Sequence, residues 1–258
     1  MFIVLFIGGC TGESMKIFID VGAHFGECVL KALQPKYDFD LVLAYEPSLV
    51  AVKRLSRISD KRLEVKQFGL GEREETLELY GAGYLGASLY SDKEKLIKPN
   101  LVERVQIKDA SEELKPLLIR ENKVWLKINC EGGEIAIINQ LDHKGLLPHF
   151  AGIYVDWDAR KVPSLRHLVE TSKKKLELSR AKFVNASDFD VTGWLGVERW
   201  LLASVKQHEN PKIVEYQDIA EYRFFRFPWS ILVWLKVTHP QVHNVIVKVL
   251  LRAKALVT

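Results

Sequence analysis

The chain has 258 residues, of which 48% are hydrophobic and 27% charged, with a formal net charge of +4. That much apolar material can bury a full core, as one large domain or as one domain with an appendage. Three widely spaced cysteines (Cys10, Cys28 and Cys130) and seven scattered histidines exclude a disulfide framework and a zinc-ligand spacing, and fit a reducing, cytoplasmic setting without a bound metal. Residues 1–15, MFIVLFIGGCTGESM, contain an apolar run too short for a signal-peptide core and far too short to span a bilayer. Met15 as the natural start is one expectation, because MKIFIDVG opens directly on a strand; a short extra strand or a loose tail is the other reading.

Residues 16–26, KIFIDVGAHFG, read as a buried strand, a glycine turn and the start of a helix, with β-branched Ile17, Ile19 and Val21 suited to a central strand. Such a turn lets backbone N–H groups approach a polar ligand at the positive helix end, where a nucleotide-like cofactor sits in an open α/β sheet. The dinucleotide fingerprint is not met: His24 stands where the middle glycine should let the backbone approach a pyrophosphate. Asp20 adds an acid inside the turn. A second acid, Glu46, closes the next strand, LVLAYEPS, 20 residues beyond Gly26, a spacing from which a carboxylate can accept both ribose hydroxyls. Pro47 and Ser48 then end the strand and cap a helix running to about Ile58.

Residues 63–70 form a third expected strand, followed by Gly69-Leu70-Gly71, where an adenine would be covered. Residues 75–80 and 85–90 alternate as a hairpin around Gly81, Gly83 and Gly86. A short strand at 105–107, an amphipathic helix at 110–121 and a buried strand at 123–130 come next. The turn Glu131-Gly132-Gly133-Glu134 leads into a helix at 135–141. Residues 151–157 are a fifth strand ending at Asp156 and Asp158. A basic helix at 163–181 precedes two last strands at 181–186 and 199–205, with Asp188, Asp190 and Trp194 in the loop between them.

The order DVGAHFGE, AYEPS, GLGEREETLELY, GASLY and WLKINCEGGEIAIINQL resembles the FkbM-type methyltransferases, a class I S-adenosylmethionine-dependent family that often O-methylates sugars, glycans or polyketides. The likeness covers about residues 16–157 and is sharpest at Gly86 to Leu89 and at Lys127 to Glu134. It implies a Rossmann-like class I methyltransferase fold: a seven-stranded, mostly parallel sheet with helices on both faces and one antiparallel hairpin near its end. It further implies S-adenosyl-L-methionine held by Asp20, Gly22, Ala23, His24, Gly26, Glu27, Glu46, Pro47, Gly69 and Leu70. For the chemistry it points to Glu131, which would orient or deprotonate the acceptor hydroxyl, with Lys127 and Asn129 beside it. Asn129 departs from the family, which usually carries aspartate there. Glu131 has a plainer reading as a helix-capping acid, and Lys127 as an ordinary strand lysine.

Residues 222–258 differ in composition, with six basic residues and no acid, so the remainder of the chain is net acidic. Val242, Val245, Ile246, Val249, Leu250, Ala253 and Leu256 make one helical stripe, and FPWSILVWL upstream adds two tryptophans. The division expected is therefore an N-terminal extension (1–15), a methyltransferase domain (16–221) and a basic amphipathic helical extension (222–258). That extension packs on the core or lies on the cytoplasmic membrane face. No nucleic-acid motif accompanies the basic residues. Two other readings stand beside the O-methyltransferase: a non-catalytic partner of glycan-assembly enzymes at the membrane surface, and a nicotinamide-dependent oxidoreductase.

Overall fold

The computed structural model describes residues 14–119, 121–189 and 193–205, all within the compact unit Met1–Pro211. Residues 1–13 and the expected extension at 222–258 lie outside the described residues.

The chain opens on β1 (Lys16–Val21), whose β-branched residues are buried to the last, and turns into α1 (Glu27–Ala32). Then follow β2 (Leu41–Tyr45), α2 (Leu49–Leu55) and β3 (Leu63–Lys66). Three strands, β4 (Gly69–Gly71), β5 (Glu75–Tyr80) and β6 (Val102–Asp109), leave the main sheet before α3 (Ala110–Leu114). The chain returns through β7 (Lys123–Ile128), α4 (Glu134–His143), β8 (Gly152–Val155), α5 (Val169–Leu178), β9 (Phe183–Asn185) and α6 (Trp194–Val205).

The main sheet has six strands in the order β3-β2-β1-β7-β8-β9, and every neighbouring pair is parallel. The chain works outward from β1 to β3, then crosses back to β7 on the other side of β1. That reversal creates a crevice above the carboxyl ends of β1 and β7, the place where open α/β sheets bind ligands. One face buries Ile17, Ile19, Leu126, Ile128 and Ile153 together with Ile137, Ile138 and Leu141 of α4. The opposite face is aromatic. Phe18 lies 5.5 Å from Phe39 and 6.4 Å from Trp200, which in turn lies 5.6 Å from Tyr154. Tilted ring pairs of this kind add about 0.5–1.5 kcal/mol each beyond the area they bury.

Four expectations are corrected. Residues 199–205 are not a strand but the end of α6, so the expected seventh strand is absent from the described residues. RWLLASV is a short apolar run, and such runs do not tell strand from helix; Val197, Trp200 and Leu201 are buried at helical spacing. The hairpin partner of β5 is β6, paired antiparallel from Glu75 with Ile107 to Tyr80 with Val102, and residues 85–90 contribute only an isolated bridge at Ser88. The expected third strand is split, because β4 leaves β3 to pair with β6. The helix expected at 110–121 ends at Leu114, its start capped by Asp109, whose carboxylate accepts the Ser111 N–H at 2.7 Å and the Glu112 N–H at 3.3 Å. No helix among the described residues is long and apolar enough to cross a membrane.

Candidate functional site

The turn after β1 is held by its neighbours on both sides. The Gly22 and Ala23 N–H groups donate to the Tyr45 carbonyl at 3.0 and 3.2 Å, the His24 N–H to Glu46 Oε2 at 2.8 Å, and the Gly26 N–H to the Ala23 carbonyl at 2.8 Å. These N–H groups, expected to face a ligand, already have protein acceptors, and α1 is too short to act as an anion site of its own. Gly22 is demanded by packing, and Gly26 by its left-handed φ of +90°. At Gly22, where φ is +77°, a Cβ would lie 1.9 Å from the Asn129 carbonyl oxygen; at Gly26 it would lie 2.5 Å from Ile58 Cδ1. Gly22 was expected to leave room for a ligand, but it leaves room for the end of β7.

Asp20 is fully buried, and its carboxylate meets the Lys127 ammonium at 2.7 Å. Lys127 also donates to the carbonyls of Val21 and Gly22 at 3.3 and 3.0 Å. Burial alone would lower the lysine's pKa; the Asp20 carboxylate more than reverses that and leaves it raised. Asp20, expected to help hold the cofactor, is paired with the protein's own ammonium. Lys127 is thus turned toward the β1 turn. Together they are a buried strap across the sheet's switch point.

Glu46 is the second anchor. Only 7% exposed, it spreads its two oxygens between the Ser48 N–H at 2.9 Å and the His24 N–H at 2.8 Å. Burial pushes its carboxyl up, against the pull of those donors. Each carboxylate oxygen has a second lone pair for a further donor. Pro47 brings Gly69 to this end of the site, its ring carbons 3.7 and 3.8 Å from the Gly69 Cβ position, whereas Leu70 is in the main core. Ala23 is buried, and Glu27 faces His24 with a carboxylate oxygen 3.5 Å from Nδ1.

Across the crevice, two segments singled out in the sequence come together. Glu131 adopts a left-handed φ of 56°, and its carbonyl accepts the Ser88 hydroxyl at 2.6 Å. Its carboxylate pairs with Lys93 Nζ at 3.0 Å, and Lys93 also donates to the Gly86 carbonyl at 2.8 Å. The charge of Asp158 also acts on Glu131, and Asp158 itself pairs with Lys161. Burial, then the Asp158 charge, push the Glu131 carboxyl up, Lys93 pulls it down, and it settles at about 7. Glu134 lies deeper, fully buried, and accepts the N–H groups of Cys130, Gly132 and Ala159; burial and Asp158 push its carboxyl up to about 8. Asn129 donates to Asp156 Oδ2 at 3.3 Å. An aspartate at 129 would instead set two carboxylates against each other.

Sequence reasoning missed Lys93, Asp158 and the docking hydroxyl of Ser88. Lys93 sits in SDKEKLIK, which looks like a solvated charge run, so nothing local marks it. Asp158 carried a weak signal as an acid just past a buried strand. Trp194, expected in the loop between the last two strands, instead begins α6, with the Lys31 ammonium 4.4 Å from its ring centre.

No protein-family model and no curated protein matches the chain. A solved structure, the methyltransferase FkbM from Methylobacillus flagellatus KT, is similar over 50% of this chain and 29% of that one, at 19% identity and a TM-score of 0.33. The chain thus spans less than a third of that protein's length, and a likeness of this size carries no functional weight. The fold and site stand on their own geometry. They make an α/β protein with a Rossmann-like, six-stranded parallel sheet and a two-sided polar crevice at its switch point.

Proposed function

We propose that the chain is an S-adenosyl-L-methionine-dependent O-methyltransferase acting on a hydroxyl of a sugar, glycan or other secondary-metabolite-like acceptor. The observation that carries this reading is the pair of carboxylates on the two sides of the crevice. Glu46, at the end of β2 beside the β1 turn, is oriented by backbone donors with acceptor capacity to spare. Glu131, after β7, is pushed up by burial and Asp158 and pulled down by Lys93, which leaves its carboxyl at about 7. S-adenosylmethionine, when bound, supplies an electrophilic methyl group on a sulfonium centre. Glu46 would accept the ribose hydroxyls, with Pro47 and Gly69 beside the base. The donor's amino-acid end does not find a free carboxylate at Asp20; Asn129, whose carbonyl lies against Gly22, and Asp156, which accepts from the Asn129 side chain, are polar groups at that end. Glu131 would orient the acceptor hydroxyl and take its proton as the oxygen–methyl bond formed and the methyl–sulfur bond broke, the pair leaving on a neutral thioether, so catalysis is mostly the positioning of two ligands, with base assistance.

A second reading has an observation of its own. The wholly parallel order of the main sheet matches that of dinucleotide-binding sheets, and a nicotinamide-dependent oxidoreductase would use Glu46 in the same way. Against it, His24 fills the position at which a pyrophosphate needs glycine, and its N–H is committed to Glu46. Incubation with methyl-labelled S-adenosylmethionine and a glycan and lipid extract decides the matter. Labelled product and S-adenosylhomocysteine are expected. Absence of both, with NADH turnover in the same extract, would transfer the assignment to the oxidoreductase.

A further inference from the structure

The rim of the crevice on the side of residues 81–102 is apolar in a way the rest of the surface is not. Leu49, Val50, Leu85, Ile97, Leu101 and Val102 are each 41–47% exposed, and they are six of the ten exposed large apolar side chains among the described residues. The fold makes them neighbours. Val50 lies against Gly83 with its Cβ 3.0 Å from the Gly83 Cβ position, and the Gly81 Cβ position lies 2.7 Å from the Ile97 carbonyl oxygen. The Gly81 and Ala82 N–H groups both donate to the Leu101 carbonyl. Glu103 accepts the Leu49 N–H and the Ser48 hydroxyl, which ties the start of α2 to β6. Gly86, just past Leu85, is bonded to the Lys93 that holds Glu131, so the patch runs to the mouth of the site.

The charges on this rim are one-sided. Its acids are engaged within the protein: Asp92 with the Ser164 N–H, Glu94 with Arg166, Glu103 with Ser48 and Leu49, Glu131 with Lys93. Lys95 and Lys98 are exposed, have no ion-pair partner among the described residues, and sit at left-handed corners that bracket Leu96 and Ile97. Lys53 of α2 is exposed as well. Contiguous exposed aliphatics mark a docking site. With unpaired lysines at their edge they match the boundary of a membrane carrying anionic head groups, apolar residues entering the acyl region and ammonium groups on the phosphates. An isologous contact with a second copy would instead set Lys95 and Lys98 against their own images.

We infer that residues 81–102 and the start of α2 form a lipid-docking rim, which seats the mouth of the crevice on an anionic membrane surface. This stands on the surface alone and does not depend on the methyl-transfer reading or on residues 222–258. The test uses the full chain with an environment-sensitive nitrobenzoxadiazole label at Asn100→Cys, the equally treated parent giving the background from its own thiols. Vesicles of equal parts phosphatidylglycerol and phosphatidylcholine should shift the label's emission to the blue and raise it, and pure phosphatidylcholine should not. In flotation, Ile97→Glu/Leu101→Glu should partition at least about tenfold more weakly than the parent, with unchanged circular dichroism. A protein that floats while the label stays silent would place membrane contact elsewhere and overturn the inference. So would self-association of the parent that the double variant loses, without any effect of lipid.

Discussion

Glu131→Gln should make the protein more stable and less active, and the gain should appear only as pH rises. Burial and Asp158 hold the Glu131 carboxyl at about 7 in the folded chain, against an ordinary glutamate value of 4.5. The sign follows from linkage: an acid whose folded pKa lies above its unfolded value contributes no penalty while both states are protonated. It accumulates a penalty as the unfolded form ionises first. Between pH 4.5 and 7 the charged glutamate therefore costs up to about 3 kcal/mol, at roughly 1.4 kcal/mol per pKa unit. Glutamine mimics the neutral form and removes that cost. Urea unfolding followed by circular dichroism at pH 4.5, 6, 7 and 8.5 should show parent and variant converging at the acid end. At the alkaline end the variant should lead by about 2–3 kcal/mol. Donor affinity should stay within about threefold while methyl transfer falls by about tenfold or more, as for a lost general base. Equal stability at every pH, or a difference that does not grow above pH 4.5, would refute the argument that Glu131 is strained toward neutrality.

The buried strap gives a second prediction: Lys127→Ala strands the Asp20 carboxylate and should cost about 3–5 kcal/mol in urea unfolding, while Asp20→Asn/Lys127→Met recovers most of it. A single variant as stable as the parent would show that the pair is not what secures the β1 turn. Gly22→Ala should lose about 2–5 kcal/mol in the absence of any ligand, from a left-handed φ and the overlap with the Asn129 carbonyl; an unchanged unfolding midpoint would contradict the packing account.

The parts of this structure that were legible are those written locally. Ile17, Ile19 and Val21 mark a central strand, Glu46 marks the end of the next, and the glycines at 22 and 26 mark the turn between β1 and α1. The split of Leu63 to Leu70 between two sheets was not legible, because Gly69 to Gly71 pairs with residues near 107 that only the fold brings close. The β5–β6 pairing failed for the same reason: Tyr80 meets Val102 across a loop whose glycines signal a nearer turn. In the site, Glu46 and Glu131 stood out as acids at strand ends. The partners that set their chemistry did not, since Lys93 and Asp158 reach Glu131 from different segments and Lys127 reaches Asp20 from a strand 107 residues later. Spacing proposed the right glycines at the turn and the wrong reason for them.

Calorimetric titration of the full chain with S-adenosyl-L-methionine, beside Glu46→Ala and beside NAD, tests the central claim most directly. The account predicts saturable binding of S-adenosylmethionine to the parent, no binding of NAD, and a loss of roughly 1.5–3 kcal/mol in Glu46→Ala, about tenfold to a hundredfold in affinity. No binding of S-adenosylmethionine to the parent, or equal affinity in Glu46→Ala, would contradict it.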